Sequence, residues 1–256
     1  KNLANIDYQV FFNEDPWHRG VISYHTAEIE QHWIASPNNH SFVLSNEKPS
    51  VLSLVGQFII EGVWHIWIGL DHILFLIALL FPAVFFYQNK SGGTALKQSV
   101  HSRFTPMFID TLKIVTAFTV SHSVTLALAA FEIVTLPAVM IEIAIAASVV
   151  FSALLIWLPS WQRFRWQLAF AFGFIHGFGF ANVLGDLTLP QESFALCLFA
   201  FNVGVELGQL AIVAVVLPLM YSLRNAKIYT QVGIPLAMSC IALVGVFWIY
   251  ERSMGL

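Results

Sequence analysis

The sequence predicts an all-α membrane protein, a bundle of about six transmembrane helices. Of its 256 residues, 57% are hydrophobic and 11% are charged, and its mean hydropathy is +0.73, a composition suited to a hydrocarbon environment. Runs of roughly 20 apolar residues, the length that crosses a bilayer core, lie at about 54–87, 108–130, 137–158, 166–184, 193–221 and 230–250. The net charge of −3 and the absence of a basic stripe predict no nucleic-acid partner and leave membrane lipid as the surroundings.

The separators between these runs alternate in charge. The first, third and fifth separators hold basic residues. The charged residues of the second and fourth are all acidic, namely Glu132 in the second and Asp186 and Glu192 in the fourth. Basic loops stay on the cytoplasmic side, so we expect a multi-pass protein of the bacterial inner membrane with both termini extracytoplasmic. The basic residues are Lys90, Lys97 and Arg103, then Arg163 and Arg165, then Arg224 and Lys227.

Residues 1–50 differ in kind from the rest, because they are polar with short alternating stretches. We interpret them as an extracytoplasmic segment, the end of a β-rich domain, and residues 51–256 as the helical membrane domain. No initiating Met or signal peptide precedes them, which suggests that a leader was removed. Four histidines recur in this segment near two glutamates, but scattered exposed histidines are a better interpretation than a metal-gathering surface. They are His18, His25, His32 and His40, beside Glu28 and Glu30.

The first apolar run is too long for one straight crossing. A helix over residues 51–87 would extend roughly 55 Å, against a hydrocarbon core of about 30 Å. We therefore expect a broken or re-entrant span, with the break between Gly62 and Gly69. On an unbroken helix the Cα atoms of His65 and His72 would be about 10.5 Å apart. Either the helix is broken, or these two histidines are successive stations for an ion.

Ionisable side chains recur inside the apolar runs, where each costs on the order of 2.5 to 3.5 kcal/mol. A lone histidine in such a run more often bonds a neighbouring helix than binds a metal. Several together, with Lys113 already expected to pair with Asp110, indicate that a bound cation supplies the missing positive charge. Imidazoles with carboxylates suit nickel, cobalt, zinc, copper or iron. The expected metal ligands are His65, Asp71, His72, His122, His176, Glu142 and Glu206.

Polar residues next to these candidates are expected to position them. Asn202 and Gln209 share a helix face with Glu206, and a polar stripe on an apolar helix faces the bundle interior. The expected positioning residues are Asn202, Gln209, Ser121, Ser123 and Glu61. Small-residue pairs also predict that the fourth and fifth spans approach each other closely through Gly173 with Gly177 and Gly204 with Gly208.

The pattern of His65, five residues, Asp71 and His72, followed by Ile73 to Leu76, resembles the first-span motif of the HupE/UreJ family of membrane proteins. The resemblance covers roughly residues 54–250. Further matches are the patch from Ser121 to Ser123, the stretch from His176 to Ala181 and the stretch from Phe201 to Gln209.

This resemblance implies a nickel permease of the hydrogenase and urease accessory group, with secondary uptake of nickel as the function. It implies that His65, Asp71 and His72 are essential and that His176 belongs to a second motif. The expected partners are a metalloenzyme maturation system or an outer-membrane metal receptor, and an accessory role is an alternative to transport. The polar N-terminal extension departs from the small permeases of this family, which leaves the identity of the metal open.

Two other classes stay open at this point. A membrane-embedded zinc hydrolase acting on a lipid or amide would use His72, His122 and His176 to hold zinc, whose bound water becomes a nucleophile. It would require a lateral opening to lipid, whereas transport requires access from both sides. Haem held by two histidines would require a large flat cavity. Transport is the preferred interpretation.

Overall fold

The computed structural model describes residues 5–10, 20–25, 30–35, 40–43, 50–89, 96–100, 103–179 and 191–255. Five helices in these ranges are long and apolar enough to cross a membrane, so the predicted all-α membrane fold is confirmed. A further helix of 15 residues covers the described part of the fourth apolar run. The helices are α1 (Val51–Ile68), α2 (Leu70–Leu80), α3 (Phe104–Ala130), α4 (Ala138–Leu154), α5 (Arg165–Gly179), α6 (Gln191–Leu223) and α7 (Ile234–Met254).

The first 50 residues contain short antiparallel strands, as the sequence suggests. Strand β1 (Asn5–Asp7) pairs with β4 (Ser41–Val43), and β2 (Gly20–His25) pairs with β3 (Glu30–Ala35). The ring of His40 lies 2.5 Å from the carboxylate of Asp7. Within this segment His18 and Glu28 lie outside the described residues, as do Lys90 and Asp186 among the residues that predict orientation.

The first span is broken at Gly69, within the interval that the sequence indicates. Helix α1 ends at Ile68 and α2 begins at Leu70, while Gly69 adopts an extended conformation with φ −68° and ψ 93°. The two helices therefore change direction at one residue. Because the chain turns there, residues on either side of the break can face each other, which a continuous helix would forbid.

The end of the first run differs from the prediction of helix up to residue 87. Helix α2 ends at Leu80, a single 3₁₀ turn covers Phe81–Val84, and β5 (Phe85–Asn89) then pairs with β6 (Leu96–Val100). Pro82 removes a backbone donor and its ring crowds the preceding turn, so the helix cannot continue. The aromatic residues after it favour a strand. Hydropathy alone does not separate these two states.

The glycines of α5 pack against α3. A Cβ atom on Gly173 would overlap Oγ of Ser121, and one on Gly177 would overlap the carbonyl of His122 and the hydroxyl of Thr125. Only a residue without a side chain allows this approach. The α3 surface that carries His122 is therefore held directly against the α5 surface that carries His176.

The glycines of α6 pack against α1 rather than against α5. A Cβ atom on Gly204 would overlap the carbonyl of Ile59, and Gly208 lies against Val63. The expectation that the two glycine pairs join the fourth and fifth spans to each other is therefore wrong. Each pair serves a different partner helix, and sequence spacing does not reveal which surface a small residue will meet.

The remaining contacts place α3 at the centre of the site. Helix α3 packs on α5 and α6, α6 packs on α1, and α4 packs on α5, on α7 and on α2. Buried Phe75, Ile114, Phe118 and Val149 form part of a common core between α2, α3 and α4. The break between α1 and α2 consequently faces α3 and α5 in the interior of the bundle.

Candidate metal centre

Four imidazole rings from four helices meet beside the break at Gly69. The ring centroid of His72 lies 4.6 Å from that of His65, 4.9 Å from that of His176 and 6.3 Å from that of His122. One ligand atom from each of His65, His72 and His122 lies within 4.8 Å of the others. The structure thus brings together histidines that are more than a hundred positions apart in the chain.

The cluster is enclosed by aromatic side chains. His122 is fully buried, His176 is 1% exposed and His72 is 7% exposed. Phe118 lies 5.2 Å from the ring of His176, and Phe75 lies 4.9 Å from the same ring. Few polar groups are present there to satisfy the ring nitrogens, so the hydrogen bonds that do exist decide how each ring is oriented.

Asp71 orients His72. One carboxylate oxygen, Oδ1, lies 2.9 Å from Nδ1 of His72 and accepts a second hydrogen bond from its main-chain N–H, also at 2.9 Å. An ionised carboxylate can only accept, so Nδ1 of His72 carries the proton. Its Nε2 then carries a lone pair and is buried without a hydrogen-bond partner. A carboxylate behind a histidine is the usual way of preparing that ring for a metal.

Asn202 orients His122 in the same manner. The amide nitrogen of Asn202 donates to the carbonyl of Leu198 at 2.8 Å, which turns its oxygen towards Nδ1 of His122 at 3.2 Å. Nδ1 of His122 therefore donates, as the hydrogen-bond network assigns it. Nε2 of His122 is left buried without a hydrogen-bond partner.

Ser148 on α4 orients His176. Its hydroxyl donates to the carbonyl of Ile145 at 2.7 Å, so the same oxygen accepts from Nε2 of His176 at 2.9 Å. Nδ1 of His176 remains buried without a hydrogen-bond partner. Sequence reasoning missed Ser148, although Ser148 and Ser152, one turn apart on α4, form a short polar stripe that could have been noticed.

Three of the four rings therefore share one arrangement. In each of His72, His122 and His176, one ring nitrogen donates a hydrogen bond to a protein acceptor. The other ring nitrogen carries a lone pair and is buried without a hydrogen-bond partner. Neutral imidazoles held by such partners are good ligands for nickel, cobalt, copper and zinc. The donor set of the cluster fits a transition-metal ion.

The two glutamates expected as ligands are placed differently. Glu206 accepts a hydrogen bond from the hydroxyl of Thr116 at 2.8 Å, and the side chain of Glu142 is exposed. Neither contributes an atom to the group of close ligand atoms formed by the histidines. Glu61 is half-buried and precedes His65 by one turn, on the same helix face. The metal-related roles of these carboxylates remain predictions.

Among the other expected positioning residues, the hydroxyls of α3 bond to their own helix. Ser121 donates to the carbonyl of Phe118 at 3.0 Å, and Ser123 donates to the carbonyl of Thr119 at 2.6 Å. The hydroxyl of Thr119 in turn lies 3.0 Å from the amide oxygen of Gln209. The serine hydroxyls are thus satisfied within α3, and the bond from Thr119 to Gln209 joins α3 to α6. The serine protons point to backbone carbonyls, so this geometry does not support a role for either serine in hydrolysis.

One charged residue at the site is absent from the sequence prediction. Nη2 of Arg252, near the end of α7, lies 3.6 Å from Oδ2 of Asp71. The prediction from sequence considered only basic residues inside the apolar runs, and it therefore did not assign Arg252 to the site. Arg252 lies just beyond the last apolar run, and the sequence does not show that the end of that helix returns to the first span.

Comparisons with known proteins are consistent with this site. Residues 40–252 match the family model described as "HupE / UreJ protein". A search of curated proteins and a search of solved structures each gave no match. The family match covers most of the chain, including every helix that carries a histidine of the cluster. The last two residues of the stretch from His176 to Ala181 lie outside the described residues.

Proposed function

The chain belongs to the HupE/UreJ family, and on that premise we propose that it takes up a divalent transition-metal ion across the membrane, with nickel as the expected cargo. Membership in the family supports transition-metal handling, either by transport or in an accessory role. The choice of uptake, and of nickel, is our proposal. It rests on the chemistry of the histidine cluster.

The observation that carries the proposal is the set of three buried imidazole nitrogens without hydrogen-bond partners. A buried polar atom left unsatisfied costs about 1–3 kcal/mol, so a bundle that keeps three of them needs a reason. A transition-metal ion held by the close group of His65, His72 and His122 would satisfy two of these nitrogens. His176 lies outside that group, with its ring 4.9 Å from the ring of His72. Nitrogen ligands also favour such an ion over magnesium and calcium, which prefer oxygen.

The break at Gly69 supports a shared site rather than two separate stations. His65 belongs to α1 and His72 to α2, yet one ligand atom of each lies within 4.8 Å of the other. An ion that reaches His65 past Glu61 and Trp64 from the extracytoplasmic side could add His72 and His122 without crossing an apolar gap. Glu206, about 6 Å further along α6 than Asn202, would then receive the ion or its counter-charge.

The test is nickel binding to the full chain purified in detergent, measured by calorimetry, followed by cobalt and zinc. We expect binding by the wild type and a loss of about a hundredfold or more in His72→Ala, because a ligand is removed. His40→Ala is the matched control, since His40 also pairs with a carboxylate but lies in the N-terminal segment. Unchanged binding in His72→Ala would overturn the assignment.

Uptake itself is tested in proteoliposomes containing a nickel-sensitive dye. Wild-type protein is expected to pass nickel into the vesicles, and His72→Ala is not. Binding without uptake would contradict the transport proposal and favour the accessory role.

A further inference from the structure

The guanidinium of Arg252 is held where three helices meet. Nη1 donates to the carbonyl of Glu142 on α4 at 2.7 Å, and the guanidinium lies 5.5 Å from the ring of Trp248 on its own helix. Its third neighbour is Asp71 on α2, at 3.6 Å. Both side chains of this ion pair are largely buried, with 21% and 19% of their surface exposed. The end of α7 is thus attached to the helix that carries His72.

The two oxygens of Asp71 have different partners. Oδ1 binds both the main chain and the ring of His72, whereas Oδ2 faces Arg252. At 3.6 Å the second contact is beyond hydrogen-bond distance, so charge attraction alone holds it. The hydrogen bond of Arg252 to the carbonyl of Glu142 is the shorter of its two polar contacts. Its ion pair with Asp71 is longer and is therefore the easier one to break.

A metal ion on Nε2 of His72 would place two positive charges one imidazole ring away from Asp71. Arg252 is always charged, and repulsion between cations is strong in a low-dielectric interior. The ion and the guanidinium therefore compete for the same carboxylate, one through the ring of His72 and the other directly.

We propose that Arg252 is a displaceable counter-ion of the metal centre: it neutralises Asp71 before the ion binds and moves away when the ion is bound. The inference rests on the proposed function and goes beyond it, because it couples occupancy of the centre to the C-terminal end of α7. Removal of Arg252 then strengthens binding, since the ion no longer competes with it.

A merely structural arginine would behave differently, and the chain offers a matched control. Arg224 lies just after α6. Its Nη1 donates to the carbonyl of Tyr221 at 2.5 Å, and its guanidinium carbon lies 3.6 Å from the centroid of the Tyr221 ring. Like Arg252 it has one carbonyl and one aromatic contact, both of them with a residue three positions earlier. Arg224→Gln tests the loss of such contacts without touching Asp71.

The experiment compares nickel binding by calorimetry in the wild type, Arg252→Gln and Arg224→Gln, each as the full chain in detergent. We expect Arg252→Gln to bind nickel about tenfold more tightly, by loss of the competing charge, and Arg224→Gln to match the wild type. Hydrogen exchange of wild-type residues 248–255 provides a second readout that needs no variant. Nickel is expected to speed that exchange roughly twofold, as the end of α7 is released.

The outcomes separate the two proposals. A wild type that binds neither nickel nor cobalt nor zinc overturns the proposed function, and this inference with it. A wild type that binds, with equal or weaker binding in Arg252→Gln, overturns the counter-ion role alone. If Arg252→Gln does not fold, unchanged exchange in the wild type on addition of nickel overturns that role by itself.

Discussion

The rings of His65 and His72 lie 4.6 Å apart across a one-residue break in the first span. Seven positions on a continuous helix would separate their Cα atoms by about 10.5 Å. The break therefore brings the two histidines together, and the histidine cluster depends on the backbone conformation of Gly69.

Substitution of Gly69 by Ala is expected to weaken nickel binding about tenfold or more, because it disturbs the orienting partner of a ligand. The new Cβ would come 2.7 Å from Nδ1 of His72 and 3.2 Å from Oδ1 of Asp71. Gly56→Ala is the control, since nothing lies within 4 Å of a Cβ there. Calorimetry on both variants is the measurement. Equal affinities in the two variants would contradict the role of the break.

Asn202→Ala should weaken binding by about 10- to 100-fold and less than His122→Ala does, because it removes an orienting partner and leaves the ligand. The ring of His122 would lose the acceptor that fixes its proton on Nδ1. Asn225→Ala, in the exposed turn after α6, provides the comparison. The measurement is a nickel titration followed by calorimetry. An Asn202→Ala protein with wild-type affinity for nickel would show that Asn202 does not orient His122.

Ser148→Ala leaves the N–H of His176 buried without an acceptor, which costs about 1–3 kcal/mol. We expect a lower temperature of unfolding together with weaker nickel binding. Ser152→Ala is the control one turn further along α4, because the hydroxyl of Ser152 is buried without a hydrogen-bond partner and its removal should cost little. Thermal unfolding and nickel titration test both variants. If they behave alike, Ser148 is not the acceptor for His176.

Glu206→Gln is expected to leave equilibrium binding of nickel unchanged and to slow uptake into proteoliposomes. The carboxylate of Glu206 bonds to Thr116 rather than joining the close group of histidines, so its charge would matter after the ion leaves the centre. Thr116→Val keeps the charge while removing the hydrogen bond, and should retain most of the uptake. A Glu206→Gln protein that binds as poorly as His72→Ala would place Glu206 among the ligands instead.

The sequence predicted the membrane class and the positions of most helices, because hydropathy over 20 residues is a local property of the chain. It also predicted the break before Asp71, since a helix over the whole run would be too long for the bilayer. It was wrong where α2 gives way to β5, because apolar aromatic residues are compatible with either state.

The sequence by itself determined which chemical groups the bundle contains, since imidazoles and carboxylates are rarely kept in hydrocarbon without a function. Only the tertiary structure decided how they are arranged: that Gly173 and Gly177 fit α3, that Ser148 and Asn202 fix ring protons, and that Arg252 reaches Asp71. These are contacts between residues far apart in the chain, and they depend on helix packing at distances of a few ångströms. Spacing within one helix predicted that Asn202 faces the bundle interior, but it does not identify the partner of any of these side chains.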